Sequence, residues 1–310
     1  MGERAASTPI PDVKLEDAER VMSKLPADLA PRSRKLVAQC MRKVLSLAVY
    51  PGRHIASNPI PNEWMPKIPK SANKAKACLY PAEDAALARC RDIPLERRVV
   101  YGILAREGMR ATELALLKWK DVDLELGRIR LDENKTDDPR AWKLSPDVAR
   151  VLAWWKKCTA GEPGDLVLGF ELKNGAWWLR GDDEGEGKNP GDLRRAGVTR
   201  PELFERSASR QPLRLHDLRA TFVTISLAAG KSEQWVTDRT GHKSSAMLAL
   251  YTRQARTWKE LDLGTLAPLD ELNPELREPS FVPAIGHRLG SESRRGRDSN
   301  PRMTVLQTVA

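Results

Sequence analysis

The sequence predicts a mainly α-helical protein with one small antiparallel β-hairpin, preceded by a short helical region. Two patterns carry this expectation. Apolar residues recur at helical spacing over Ser33–Val49 and again through Leu215–Tyr251. Between them, Arg128-Ile129-Arg130-Leu131-Asp132 alternates strictly, as a half-buried strand does. A polar turn at Asn134–Pro139 and a short strand at Ala141–Leu144 complete the hairpin.

The elements fall into three regions. Residues 1–69 open with a polar, Pro-containing leader and an amphipathic stretch around Leu15–Leu25. The stronger helix, Ser33–Val49, carries Leu36, Val37, Cys40, Val44, Leu45 and Ala48 as its expected apolar stripe, with basic flanks. Pro59, Pro61, Pro66 and Pro69 then mark a linker and a domain boundary. Residues 74–263 form the main domain. Pro81-Ala82-Glu83-Asp84 starts a helix with proline and acid in its first turn, and helices follow at Leu95–Ala105 and Arg110–Trp119. After the hairpin come a helix around Leu152–Lys157, a Gly-rich charged loop at Asp182–Gly191, and the Leu215–Tyr251 helices, punctuated by Gly230 and Gly241. Residues 264–310 have no sustained periodicity and are expected to be a mostly disordered tail.

Composition narrows the function. Among 310 residues, 52 Lys and Arg face 42 Asp and Glu, a net charge of +10. A surplus of that size suits a polyanionic partner, nucleic acid foremost, although a basic surface alone would also produce it. Four scattered cysteines without a C-x-x-C pair argue against structural zinc and for a reducing compartment. Met1–Arg20 holds no apolar core, and no apolar run approaches the roughly 20 residues of a membrane span. A cytoplasmic protein is expected.

The candidate chemistry starts at His216-Asp217-Leu218-Arg219, where helical spacing would put His216 and Arg219 on one face. Gly241-His242 follows a helix end, and Tyr251 lies on the next helix. Upstream, Gly108-Met109-Arg110-Ala111-Thr112-Glu113-Leu114 sets Arg110 at a helix start, with Glu113 one turn on to hold its guanidinium. Lys135 sits at the hairpin tip. Paired arginines suit a phosphate, and a tyrosine of pKa near 10 needs strong electrostatic help to act as a nucleophile. Each residue also has a plainer reading: Tyr251 as packing, Lys135 as a solvated turn lysine. Lys143 is the nearby alternative to Lys135, and Trp154, Trp155, Trp177 and Trp178 read as packing rather than base-stacking platforms.

Taken together, Gly-Met-Arg-Ala-Thr-Glu-Leu, the hairpin lysine, His-Asp-Leu-Arg-Ala-Thr-Phe, Gly-His and the tyrosine resemble the tyrosine recombinases, or phage-type integrases, over roughly Pro81–Trp258. The resemblance implies a site-specific recombinase that cuts and rejoins double-stranded DNA without a metal or cofactor. It implies Tyr251 as nucleophile, Arg110 and Arg219 as the phosphate clamp, Lys135 as acid, His216 as base and phosphate contact, and His242 as a phosphate hydrogen-bonder. It also implies a homotetramer on DNA, with an accessory DNA-bending protein in some systems. The helical region before the linker is short for this family. A DNA-binding remnant with impaired activity therefore stands as one alternative, and a type IB topoisomerase-like enzyme, which shares the active-site logic, as another. Asp298-Ser299-Asn300-Pro301 can be encoded by the complement of a tRNA T arm, a common insertion target of such integrases.

Overall fold

The computed structural model describes residues 8–68, 77–132, 139–168, 175–181, 190–207, 209–242 and 245–277. The hairpin tip with Lys135, the stretch that begins the 74–263 region, and Asp298–Pro301 lie outside the described residues. The chain divides into two units, residues 1–75 with 206–210 and residues 76–205 with 211–310.

In the first unit, α1 (Leu15–Ser23) and α2 (Pro31–Val49) are the two described α-helices. Proline at the first position of α2 loses nothing, because that N–H would lack a helical partner anyway. Ala18, Leu45 and Ile60 form a small core with Met41, Ile55 and Trp64 packed against it. Asn58 pins the following chain to α2 through its amide, which donates to the Arg42 carbonyl at 2.7 Å and Ser46 Oγ at 2.8 Å. The expected apolar stripe of α2 needs correction: Ala38, Leu45 and Ala48 are buried, whereas Leu36 (58 %) and Val44 (61 %) are exposed, as is Cys40. The helix has apolar residues on more than one face, and periodicity alone does not say which face is covered.

The second unit is built around two helices buried on nearly all sides, α4 (Leu95–Glu107) and α9 (Leu218–Ala228). They pack on each other, and α9 packs also on α11 (Ser245–Glu260). Helix α3 (Pro81–Arg89) lies against α4. Apolar sequence suits α9 to the core, whereas α4 carries Arg98, Arg106 and Glu107 into it as paired charges. Helix α5 (Ala111–Leu116) is shorter than periodicity suggested and is followed by a 3-10 turn at Trp119–Asp121. Tertiary backbone bonds end it: the Leu117 carbonyl accepts from Val167 N at 2.8 Å, and Trp119 N donates to the Asp165 carbonyl at 3.1 Å.

The sheet has three antiparallel strands in the order β1-β2-β3. They are β1 (Val122–Asp123), β2 (Arg128–Leu131) and β3 (Arg140–Lys143). Strand β1 was not anticipated, since two residues are too few for alternation to register. Register pairs Ile129 with Trp142 and Leu131 with Arg140. All four are buried, so the pleat turns Arg140 inward and Lys143 outward. Helices α6 (Pro146–Thr159), α7 (Gly175–Arg180) and α8 (Asp192–Arg195) contribute Val148, Val151, Leu152, Leu179 and Leu193 to the main core of this unit. Trp155 is fully buried in it, and its indole N–H donates to the Val167 carbonyl at 2.7 Å.

The boundary drawn at residue 263 also moves. Residues 264–277 carry α12 (Leu269–Leu272) and a 3-10 turn at Pro274–Arg277. Leu269, Leu272 and Leu276 are buried, and Asp270 accepts from Arg150 Nε at 2.7 Å. Four residues of helix cannot show a period, which is why this segment read as tail. No helix among the described residues is long and apolar enough to cross a membrane.

Candidate active site

The site forms at the C-terminal end of α10 (Glu233–Thr240), where the turn into His242 meets chain segments distant in sequence. Gly241 ends this helix at φ 65°, a left-handed conformation that glycine adopts without steric cost. A helix C-terminus leaves carbonyls without intrahelical donors and carries the negative end of the helix dipole. Arginine side chains supply the donors here.

Arg219, on α9, is 5 % exposed. Its Nη1 donates to the Gly108 carbonyl at 2.8 Å, and its Nη2 donates to the Thr240 carbonyl. Its pKa is lowered to about 10, by burial first and then by the neighbouring positive charges of Arg110 and Arg140, with Glu113 opposing them. A bound anion would reverse that shift, so the cluster favours one electrostatically. Gly108 closes α4 at φ 64°, turning the chain so that its carbonyl faces Arg219 and Arg110 follows two residues on.

Arg110 stands at the N-cap of α5, as anticipated, and Glu113 holds it twice. The Arg110 backbone N–H donates to Glu113 Oε2 at 2.8 Å, and Arg110 Nη1 donates to Oε1 at 2.5 Å. Its Nη2 reaches the Gly241 carbonyl at 3.5 Å. Arg110 keeps 19 % of its side chain accessible, against 6 % for Glu113.

His242 is buried at 8 %, with Nδ1 2.7 Å from Thr240 Oγ1. The Thr240 hydroxyl donates to the Val236 carbonyl at 2.6 Å. Its oxygen is thus the acceptor toward His242, which assigns the hydrogen to Nδ1. Tyr251, on α11, is 8 % exposed, and its ring centroid lies 6.1 Å from that of His242. It packs in a satellite core with Ala220, Phe222, Val223, Val236 and Leu248. The Tyr251 phenol also lies within electrostatic reach of Arg219 and Arg214.

Four of the six expected residues, Arg110, Arg219, His242 and Tyr251, therefore gather around one helix end. His216 differs from expectation. It lies on a 3-10 turn, Leu215–Asp217, that leads into α9 rather than on the α-helix itself, and it is exposed. Asp217 ends that turn and binds Arg214 through both carboxylate oxygens at 2.9 Å, which fixes the approach. Lys135 falls outside the described residues, and Lys143 points outward on β3.

Sequence reading missed Arg140, Thr240 and Glu107. Arg140 could have been found by extending the β3 alternation back one residue, which places it inward with Trp142. Glu107, wholly buried, accepts from Trp142 Nε1 at 2.8 Å and from Ser145 N at 2.9 Å, and stands 3.8 Å from Arg239 Nη1. Burial raises its pKa above 4.5, and the bonds from Ser145 and Trp142 oppose the rise. No spacing rule would have singled it out.

The fold is that of the tyrosine recombinases. Among solved structures, a lambda integrase(75-356) dimer bound to a COC′ core site aligns over 79 % of this chain and 81 % of its own at 17 % identity, with a TM-score of 0.56. A Tn1549 transposon integrase in complex with a circular intermediate DNA aligns over 84 % and 89 % at 20 % identity, again at 0.56. The chain belongs to the phage integrase family, whose model matches residues 82–257, and is accordingly a DNA strand-transferring recombinase of the tyrosine class. Relatives described as integrase/recombinase, from Escherichia coli and Pseudomonas aeruginosa, are each 25 % identical over 272 residues, covering 78 % of this chain and 77 % of theirs.

Proposed function

We propose that the protein is the integrase of a mobile element and that it recombines double-stranded DNA at a specific site through a 3′-phosphotyrosyl intermediate. Tyr251 Oη attacks the scissile phosphorus, an O–P bond forms to the 3′ side, and the bond to the 5′ oxygen breaks. The phenol proton passes to His216, and Lys135 supplies the proton that the leaving 5′ oxygen takes up. Arg110 and Arg219 hold the non-bridging oxygens and offset charge that builds in the transition state. His242, when protonated, donates its Nε2–H to the same phosphate. The phosphotyrosine conserves the energy of the broken ester, so religation needs no cofactor. A free 5′ hydroxyl from a second duplex reverses the step and completes strand exchange.

The reading is carried by one observation: two guanidiniums, an imidazole and a phenol from four separated segments converge on the α10 C-terminus, where burial and mutual repulsion lower the Arg219 pKa. On this reading the enzyme works in the cytoplasm, on the nucleoid, as a homotetramer on two duplexes, with an accessory DNA-bending protein where the site requires one. Residues 1–69 would serve as a short clamp, with residues 74–263 and the packed 264–277 segment as the catalytic domain. The test uses nicked duplexes tiled across the DNA that flanks the protein's own gene, resolved on a denaturing gel. Wild-type protein is expected to form a covalent adduct, and Tyr251→Phe to form none while still binding DNA. An adduct in the Tyr251→Phe protein would remove Tyr251 from the role. Relaxed circles without recombinant joints would point to a topoisomerase instead.

A further inference from the structure

Three guanidiniums end on three successive carbonyls. Arg140 Nη1 donates to the Arg239 carbonyl at 2.6 Å, Arg219 Nη2 to the Thr240 carbonyl, and Arg110 Nη2 to the Gly241 carbonyl at 3.5 Å. Two of these arginines form the phosphate clamp of the recombinase reading. Arg140 has no place in that reading, yet it is buried, with 4 % of its side chain exposed. Its Nη2 donates at 2.5 Å to Glu113 Oε1, the oxygen that also accepts from Arg110 Nη1 at 2.5 Å.

Sharing one carboxylate oxygen has an electrostatic consequence. Glu113 facing Arg110 alone would cancel most of its charge and draw its guanidinium away from any anion. With Arg140 beside it, the carboxylate is divided between two cations and is held at a fixed angle, so Arg110 keeps charge to offer. The packing around Arg140 is tight: a Cβ at Gly241 would sit 3.2 Å from Arg140 Cζ, Nε and Nη1. We propose that Arg140 is a positioning residue for strand cleavage, setting the orientation and residual charge of Arg110 through Glu113 and the carbonyl end of α10. The proposal rests on the recombinase reading for its kinetic consequence, and on geometry alone for its structural one.

Arg140→Met and Arg140→Lys, each with and without Arg110→Ala, separate this role from a merely structural one. With the tiled nicked duplexes at saturating protein, Arg140→Met is expected to slow single-turnover cleavage on the order of 10- to 100-fold, the scale of an ångström-sized misplacement. Arg140→Lys should fall between Arg140→Met and wild type, since it keeps the charge and loses the fork. On the Arg110→Ala background, Arg140→Met should cost less than about twofold more, because the residue it acts through is gone. DNA affinity should stay within about twofold of wild type, because on this proposal Arg140 acts through Glu113 and the α10 carbonyl end and makes no phosphate contact of its own. An equal slowing in both backgrounds, or a loss that lies in DNA affinity, would overturn the proposal. So would Arg140→Lys cleaving at the wild-type rate, which also decides the matter if Arg140→Met does not fold. A crystal structure of the Arg140→Met or Arg140→Lys protein reads the positioning without any cleavage. Arg110 and Glu113 displaced from their wild-type places is the expected result, and an unmoved pair overturns it. A wild-type protein that forms no adduct would sink the recombinase reading and leave this structural arm to decide the proposal.

Discussion

Arg219 spans two turns of backbone, and its loss removes more than a charge. The Gly108 and Thr240 carbonyls would both lose their donor, and the proposed phosphate clamp would lose one arm. Arg110→Ala and Arg219→Ala are each expected to slow cleavage by about 100-fold or more, as for other transition-state donors. Single-turnover rates on the nicked substrate check this, and a variant with near-normal cleavage would drop that residue from the clamp. Lys135→Ala should also be slow, and a 5′-bridging sulfur, a leaving group that needs no acid, should restore its rate; absence of rescue would take the acid role from Lys135. Glu107 offers a pH test. Burial raises its pKa above 4.5 in the folded state, so the stability it contributes is fully present below pH 4.5 and is lost as pH rises through the folded value. Glu107→Gln cannot ionise. The wild-type melting temperature minus that of Glu107→Gln should therefore be largest below pH 4.5 and fall at higher pH. A difference that stays flat or grows across that range would contradict the burial argument.

At the scale of elements, the junction between α4 and α5 places Arg110 and the Gly108 carbonyl that Arg219 binds. Gly108 holds φ 64°, and a Cβ there would lie 2.2 Å from Phe222 Cδ1. A left-handed alanine costs roughly 1 kcal/mol, and overpacking a core typically adds 1–3 kcal/mol. Gly108→Ala should thus lower stability by about 2 kcal/mol or more, a melting shift of several degrees for a unit of this size. It should also slow cleavage, because the shifted carbonyl is the one that Arg219 Nη1 binds. Calorimetry with single-turnover cleavage checks both effects, and an unchanged melting temperature would show that Phe222 yields freely. The sheet acts in the same way. Its register turns Arg140 toward Glu113, and a slip of one residue would send that guanidinium to solvent.

The second unit as a whole is completed by residues 264–277. Leu269, Leu272 and Leu276 are each at most 2 % exposed, and burying a leucine contributes roughly 1.5–3 kcal/mol. The same segment satisfies two buried arginines. Arg106 Nη2 donates to the Ala267 carbonyl at 2.6 Å, and Arg98 pairs with Glu275 and reaches Asn273 Oδ1 at 3.3 Å. Ending the chain after Leu263 would expose an apolar face and strip partners from both guanidiniums. That truncation is expected to yield an unstable or insoluble protein, whereas removing Ser291–Ala310 should leave the melting temperature and cleavage nearly unchanged. Thermal melts of the two truncations decide it: a stable protein ending at Leu263 would refute the structural role of 264–277.

Long periodic elements were legible in the sequence because helix spacing and strand alternation are local. Ser33–Val49, Leu95–Ala105 and the hairpin strands lie within a few residues of their expected bounds, and Gly230 and Gly241 follow helices at positive φ. The Arg110–Glu113 pair was legible too, since one helical turn separates its members. Tertiary structure decided the rest. Which face of Pro31–Val49 is covered depends on what packs there, and α5 ends early because Val167 and Asp165 claim its following backbone. The short α12 joins the core only through contacts with elements far away in sequence. Arg140 comes to Glu113 by strand register, and the carbonyls of residues 239–241 meet three arginines by helix packing. Those meetings are long-range, so no spacing along the chain encodes them.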